Sequence, residues 1–241
     1  MAVAALLVSV GAVACKPVPT APGTDRVVVL GDSVPAWLFR DGAPAGVDAE
    51  RFTAINGTLE ACEGAAGNPP ARGRSGDVVP TPTACDKGWS GLYPPHLTLE
   101  TDVAVLMAGN HAMLDHKLSG TWRHPCHAPF RDWYRTDLTN RLSYLNTKAA
   151  RVVLVLPAWP GPNSGWIMPA DHEKRADCVR GVMRQAADAT GATVVDLGGY
   201  LCPGGASSCN SWRSGDGIHV DKARAAGVLA WLLDAADPTA V

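Results

Sequence analysis

Five short apolar runs, widely spaced and separated by stretches of helical periodicity, constrain this chain's fold more than any other feature. They are Arg26–Leu30, Arg51–Ile55, Asp102–Met107, Arg151–Leu156 and Ala192–Leu197. A run such as Val152-Val153-Leu154-Val155-Leu156 offers apolar side chains to both faces, as buried parallel strands do. Between or after these runs come helical patterns. Phe130–Ala149 repeats Phe130, Trp133, Tyr134, Leu138, Leu142 and Leu145 at helical spacing. Asp171–Thr190 aligns Val179, Val182, Met183 and Ala186, and Val220–Ala236 aligns Ala223, Val228, Leu232 and Leu233. The alternation predicts an α/β fold with a parallel sheet covered on both faces. In such sheets the ligand site lies at the carboxyl ends of the strands. Two long connections, 57–100 and 198–219, carry Gly, Pro and Cys with little periodicity, and ordered loops of that length are usually functional.

The N-terminus reads as an address. Residues 2–14 are apolar or small, with no charge before Lys16. That is shorter than the ~20 apolar residues that span a bilayer, and it fits the apolar segment of a secretory signal. No Lys or Arg precedes the segment, so the true start is expected upstream. Ala12-Val13-Ala14-Cys15 resembles a bacterial lipobox, in which Cys15 would carry lipid; ordinary cleavage near Ala14 is the alternative. Residues 16–25 form a Pro-rich tether, and 26–241 the folded domain. The protein is expected to be secreted or lipid-anchored on the extracytoplasmic face of a bacterial cell.

Seven cysteines support export. With Cys15 set aside, six remain, an even number suited to three disulfides in an oxidising compartment. Cys202 and Cys209 enclose a Pro-Gly-Gly loop and are the first pair expected. Elimination then leaves Cys62 with Cys85 and Cys126 with Cys178, though spacing does not fix that choice. With 21 Lys+Arg against 23 Asp+Glu and no basic stripe, nothing points to nucleic acid. A monomer is expected.

Two motifs at opposite ends of the domain carry chemistry. Gly31-Asp32-Ser33 follows the first apolar run, which puts Ser33 in the turn after a strand. Asp216-Gly217-Ile218-His219 precedes the last helix. A serine hydroxyl is a weak nucleophile until a base takes its proton. His219 can be that base, and Asp216 can orient the imidazole and stabilise its protonated form. Attack on an ester also creates an oxyanion that needs preorganised donors, each worth roughly 10²–10³ in rate. The Ser33 backbone N–H is one candidate. This chemistry requires no cofactor and no metal.

Gly-Asp-Ser after the first strand, with Asp-x-x-His before the last helix, resembles the SGNH (GDSL-like) hydrolase superfamily over residues 26–236. The chain is most similar to extracytoplasmic SGNH domains found with bacterial envelope O-acyltransferases. The features that carry this are Cys85 before Trp89, then Gly109, Gly120-Thr121-Trp122, Leu201-Cys202-Pro203, and Arg213 ahead of Asp216. The resemblance implies a three-layer α/β/α, flavodoxin-like sandwich with a central five-stranded parallel sheet. It implies ester hydrolysis or acyl transfer through an acyl-serine, on acyl (acetyl above all) esters of envelope carbohydrate. Two departures stand out. The superfamily's second block supplies an oxyanion-facing Gly, a place for which Gly57 and Ala61 compete. Its third block is Gly-x-Asn-Asp, where this chain has Gly109-Asn110-His111-Ala112, so Asn110 and His111 compete for the side-chain donor. A non-catalytic carbohydrate-binding or assembly module and a lipase-like esterase for longer acyl chains are the alternatives.

Other residues invite functional readings. His96, His111, His116, His124 and His127, with Asp115 and Cys126, crowd one stretch, but their spacing matches no established metal-ligand pattern, and loop histidines are the expectation. Trp159 and Trp166, in the Pro- and Gly-rich segment after the fourth strand, are candidates for a sugar-binding platform. Asp32 is read as structural, its carboxylate satisfying nearby backbone amides.

Overall fold

The computed structural model describes residues 24–40 and 48–237. The expected signal segment, Cys15 and nearly all of the tether lie outside them. The described chain runs β1 (Asp25–Gly31), α1 (Ser33–Leu38), β2 (Phe52–Thr58), β3 (Ala71–Arg72), α2 (Gly88–Leu92), β4 (Val103–Met107), β5 (Asp115–Leu118), β6 (Thr121–Arg123), α3 (Ala128–Asn146), β7 (Arg151–Leu156), α4 (His172–Thr190), β8 (Thr193–Asp196), α5 (Leu197–Leu201) and α6 (Lys222–Ala236). The five long strands form one sheet in the order β2-β1-β4-β7-β8, with every pairing parallel.

Burial follows position in that sheet. Every residue of β4 and all of β7 after Arg151 are buried, and Val27–Gly31 of β1 are too. The outer strands β2 and β8 are more accessible, with Phe52 and Gly57 buried in β2 and Val195 in β8. The strand order reverses between β1 and β4. A right-handed crossover carries α1 leftward from β1 to β2, and carries α3 and α4 rightward through β7 to β8. The helices therefore fall on opposite faces: α3 packs on α4, and α1 packs on α6. This is the expected three-layer α/β/α sandwich. The reversal opens a crevice at the carboxyl ends of β1 and β4, where doubly wound sheets bind ligands.

The long connection after β2 is more ordered than its sequence suggests. It holds α2 and β3, and β3 pairs antiparallel with β5, which pairs with β6. Nothing in the sequence marks this second sheet, because its strands are two to four residues long and one reads Asp-His-Lys-Leu. Disulfides join Cys62 to Cys85, Cys126 to Cys178 and Cys202 to Cys209. Such bonds fit an oxidising compartment. Among the described residues, no helix is long and apolar enough to cross a membrane.

The three bridges close loops with sequence separations of 52, 23 and 7 residues for Cys126–Cys178, Cys62–Cys85 and Cys202–Cys209. Loop-closure entropy gives losses of about 4, about 3.5 and about 2.5 kcal/mol, in that order, when each pair is replaced by serines. Guanidinium unfolding of the three double variants checks the order; a smallest loss at Cys126–Cys178 would contradict it.

Candidate active site

Ser33 is the first residue of α1, directly after β1. Gly31 makes the turn possible: at φ +151°, a Cβ there would stand 1.8 Å from Met107 O on β4. Asp32 caps the helix, its Oδ1 accepting from the Val34 N–H at 3.0 Å, which is the structural role read from sequence. Ser33 Oγ lies 2.9 Å from His219 Nε2, and His219 Nδ1 lies 2.6 Å from Asp216 Oδ2. Serine and imidazole meet across 186 residues of sequence.

Asp216 and His219 sit in a turn closed by an antiparallel bridge between Arg213 and Val220. Asp216 Oδ1 accepts from Ser214 Oγ at 2.6 Å, Ile218 N at 2.8 Å and His219 N at 3.0 Å. Burial raises its pKa, but those donors and His219 outweigh burial and hold the carboxyl well below the usual carboxylate range. It stays ionised at any ordinary pH. Gly217, at φ +74°, lies so close to the 161–166 segment that a Cβ there would stand 2.5 Å from Ser164 N, so the turn docks tightly on that segment. The Arg213 guanidinium is buried beneath the turn and donates to Ile218 O and to Trp159 O.

A cavity of about 440 Å³ opens beside the triad. Ser33, Asp216 and His219 line it, and so do Ala61, Asn110, His111 and Trp166. Two sequence expectations are corrected here. Gly57 is not in this cavity: it lies within β2, which runs past the expected end at Ile55, and its Cα faces Leu30 and His96. Ala61 lines it instead, with φ +54°, a left-handed conformation that costs a non-glycine residue roughly 1–2 kcal/mol. Trp159 also misses the cavity. Its indole N–H donates to Asp177 at 2.8 Å, and the Arg180 guanidinium covers its ring at 4.3 Å. Trp166 is 62 % exposed at the rim, and its indole N–H donates to Asp216 O at 3.0 Å.

Asn110 and His111 both face the cavity, from the turn after β4. The two ring nitrogens of His111 are shielded from solvent and have no partner. Burial lowers its pKa to about 4, so at neutral pH it is an uncharged imidazole with one uncommitted N–H. His116, packed edge-on against it at 5.6 Å, is lowered to about 3, by burial first and by His111 second. Among the described residues, no group of three His, Cys, Asp or Glu side chains is placed to hold a metal ion; Cys126 is in its disulfide.

Sequence reasoning missed what ties the two segments facing Ser33 together. Glu63, 4 % exposed, accepts from Gly109 N at 3.2 Å through Oε2 and from Tyr134 Oη at 2.7 Å through Oε1. Its backbone carbonyl accepts from Arg141 Nη1 at 2.7 Å, and Arg141 is wholly buried and paired to Asp137. Asp137 in turn accepts from Ala66 N at 3.0 Å. One carboxylate thus links the Ala61–Ala66 segment to the turn carrying Asn110. Asp137 and Arg141 stand four apart on α3, a visible pairing signal; nothing in the sequence ties either to Glu63.

The sequence matches no protein-family model, and no curated protein matches it. Solved structures do match. A GDSL-like lipase from Bacteroides thetaiotaomicron superposes with a TM-score of 0.54 at 16 % identity, covering 90 % of this chain and 89 % of that one. The chain is similar in fold to that lipase. The aryl esterase of M. smegmatis aligns over 89 % of this chain and all of its own, at TM-score 0.51 and 19 % identity. A variant of Axe2, an acetyl xylan esterase from Geobacillus stearothermophilus, gives 0.51 and 13 %, with 86 % and 92 % covered. At these identities the likeness is one of fold.

Burial lowers the pKa of His219 from its ordinary 6.5, and this outweighs the Asp216 carboxylate, which raises it. In an NMR titration of the ring protons, His219 is expected to protonate below pH 6.5, His111 near 4 and His116 near 3. A His219 midpoint above 6.5 would mean that Asp216, rather than burial, controls the base.

Proposed function

We propose that this protein is a serine esterase or O-acyltransferase of the SGNH type, acting on acyl esters of carbohydrate through an acyl-serine. The observation that carries the reading is the continuous line from Asp216 Oδ2 through His219 to Ser33 Oγ, with contacts of 2.6 and 2.9 Å. Ser33 Oγ attacks the ester carbonyl carbon while His219 Nε2 takes the hydroxyl proton. The proton then passes from Nε2 to the departing alkoxide as the C–O bond breaks. Water, or a sugar hydroxyl, attacks the acyl-serine by the same proton path, releasing acid or a new ester. Backbone amides at Ser33 and Ala61 and the side chains of Asn110 or His111 are the donors proposed for the oxyanion.

The carbohydrate assignment is supported by Trp166, whose exposed ring stands at the rim beside Asp216, and by the acetyl xylan esterase among the fold's members. The proposed setting is the bacterial envelope, with the chain secreted or held by lipid on Cys15, beside an O-acyltransferase. A second reading has an observation of its own. Val79, Pro80, Leu114, Ile167 and Met168 give the cavity apolar walls, which suit an acyl chain longer than acetyl.

Hydrolysis of p-nitrophenyl acetate by wild type and Ser33→Ala tests the first reading. Loss of a triad nucleophile lowers turnover by roughly 10³-fold or more. Equal rates in the two proteins would leave a carbohydrate-binding module in its place. A series of p-nitrophenyl esters from acetyl to octanoyl separates the second reading: kcat/KM is expected to peak at acetyl, and a peak at octanoyl would establish the lipase-like alternative.

A further inference from the structure

Ser33 opens α1, and Trp37 stands one turn later on the same face of that helix. Its indole stacks on the His219 imidazole, with centroids 4.0 Å apart and planes 10° from parallel. The Arg40 guanidinium lies 4.0 Å from the indole centroid. Two groups at that distance cannot share one face of the ring without overlapping, so Arg40 and His219 cover opposite faces. Arg40 is fixed in turn by Glu60, whose Oε1 accepts from its Nη2 at 2.7 Å and its Nε at 3.2 Å. All five side chains from Glu60 to Ser33 line the same cavity.

The stack supplies what the hydrogen bonds of His219 lack. Asp216 and Ser33 hold the imidazole at its two nitrogens, in the plane of the ring. A tilt of the ring about the line joining those nitrogens bends both bonds only gradually at first, yet it swings the Nε2 lone pair away from the serine O–H. A flat surface against the ring face blocks that tilt. Displacements of about 1 Å at a reacting group cost on the order of 10²-fold in rate. An aromatic face also attracts a cation, and the Arg40 charge behind the indole, which lowers the His219 pKa, is opposed by Glu60, which raises it.

We propose that Trp37 is a positioning residue for His219, a flat support that the Arg40–Glu60 pair clamps from behind. Both faces of the Trp37 ring are covered, by His219 and by Arg40, which leaves only an edge of it to the cavity. Its effect therefore falls on turnover and leaves binding nearly unchanged.

The proposal rests on His219 acting as the base, and its test separates the two ideas. In Trp37→Leu the side chain keeps its apolar bulk and loses the ring. Turnover of p-nitrophenyl acetate is expected to fall about 10- to 100-fold, with KM within about twofold of wild type. Trp37→Phe, which restores an aromatic face, is expected to return kcat to within about threefold. A Trp37→Leu enzyme as fast as wild type, or a Trp37→Phe enzyme as slow as Trp37→Leu, would overturn the proposal. The second measurement needs no substrate. The indole ring current shifts the His219 ring protons upfield, and Trp37→Leu returns them to ordinary positions; unchanged signals in that variant would also overturn it. Were Ser33→Ala as active as wild type, the esterase reading would fail while this NMR comparison still judged the stack.

Discussion

Gly31 ends β1 where the Met107 carbonyl leaves no room for a Cβ, so the backbones of β1 and β4 meet with no side chain between them. Much of the site follows from that approach. It sets the turn at Asp32 directly beside the turn at Gly109 and Asn110. The first delivers Ser33 and the second delivers Asn110 and His111 to the same cavity. Because the strand order reverses at this pair, α1 leaves on one side of the sheet while the chain after β4 leaves on the other. A crevice forms without being carved by any loop. A sheet whose order did not reverse here would send both connections to one face and close it.

The two sides of the crevice handle charge differently. Asp216 is held by three donors from its own turn besides the His219 imidazole, and remains an anion despite burial. Across from it, burial and the nearby Glu63 push the Asp32 carboxyl upward, and burial keeps His111 neutral. An anion behind the imidazole favours its protonated form. A neutral His111 and an Asp32 whose ionisation is disfavoured keep negative charge in front of the serine low, so less of it would oppose a developing oxyanion. For the proposed esterase either half reversed would be unfavourable: a neutral Asp216 would strand the imidazolium, and further anions beside Asn110 would repel the proposed oxyanion.

The central strands were legible because burial on both faces demands unbroken apolar residues. Arg151–Leu156 has the same limits in sequence and structure. Helix α4 differs by one residue at its start, where Asp171 lies outside it. The triad was legible because Asp216 and His219 are local and Ser33 marks a strand end. What stayed hidden depends on contacts between distant segments. Gly57 looked free because β2 is an edge strand whose pattern breaks after Ile55. Trp159 looked like a platform because nothing nearby in sequence announces Arg180 or Asp177. Glu63 gave no signal at all: its partners lie 46 to 78 residues away.

Glu63 also explains how Ala61 holds a left-handed backbone that glycine would take at no steric cost. A strained residue persists only where its surroundings over-determine it. Here the disulfide at Cys62 fixes the next position, and Glu63 and Ala66 are tied to α3 through Arg141 and Asp137. Three anchors within five residues leave the segment no relaxed path that keeps them all. Removing one partner from a buried ion pair costs on the order of 3–5 kcal/mol, more than the roughly 1–2 kcal/mol of strain at Ala61. The balance therefore favours the strained turn, and alanine can stand in the wall of the cavity facing Ser33 because the buried network behind it is stronger than its own preference.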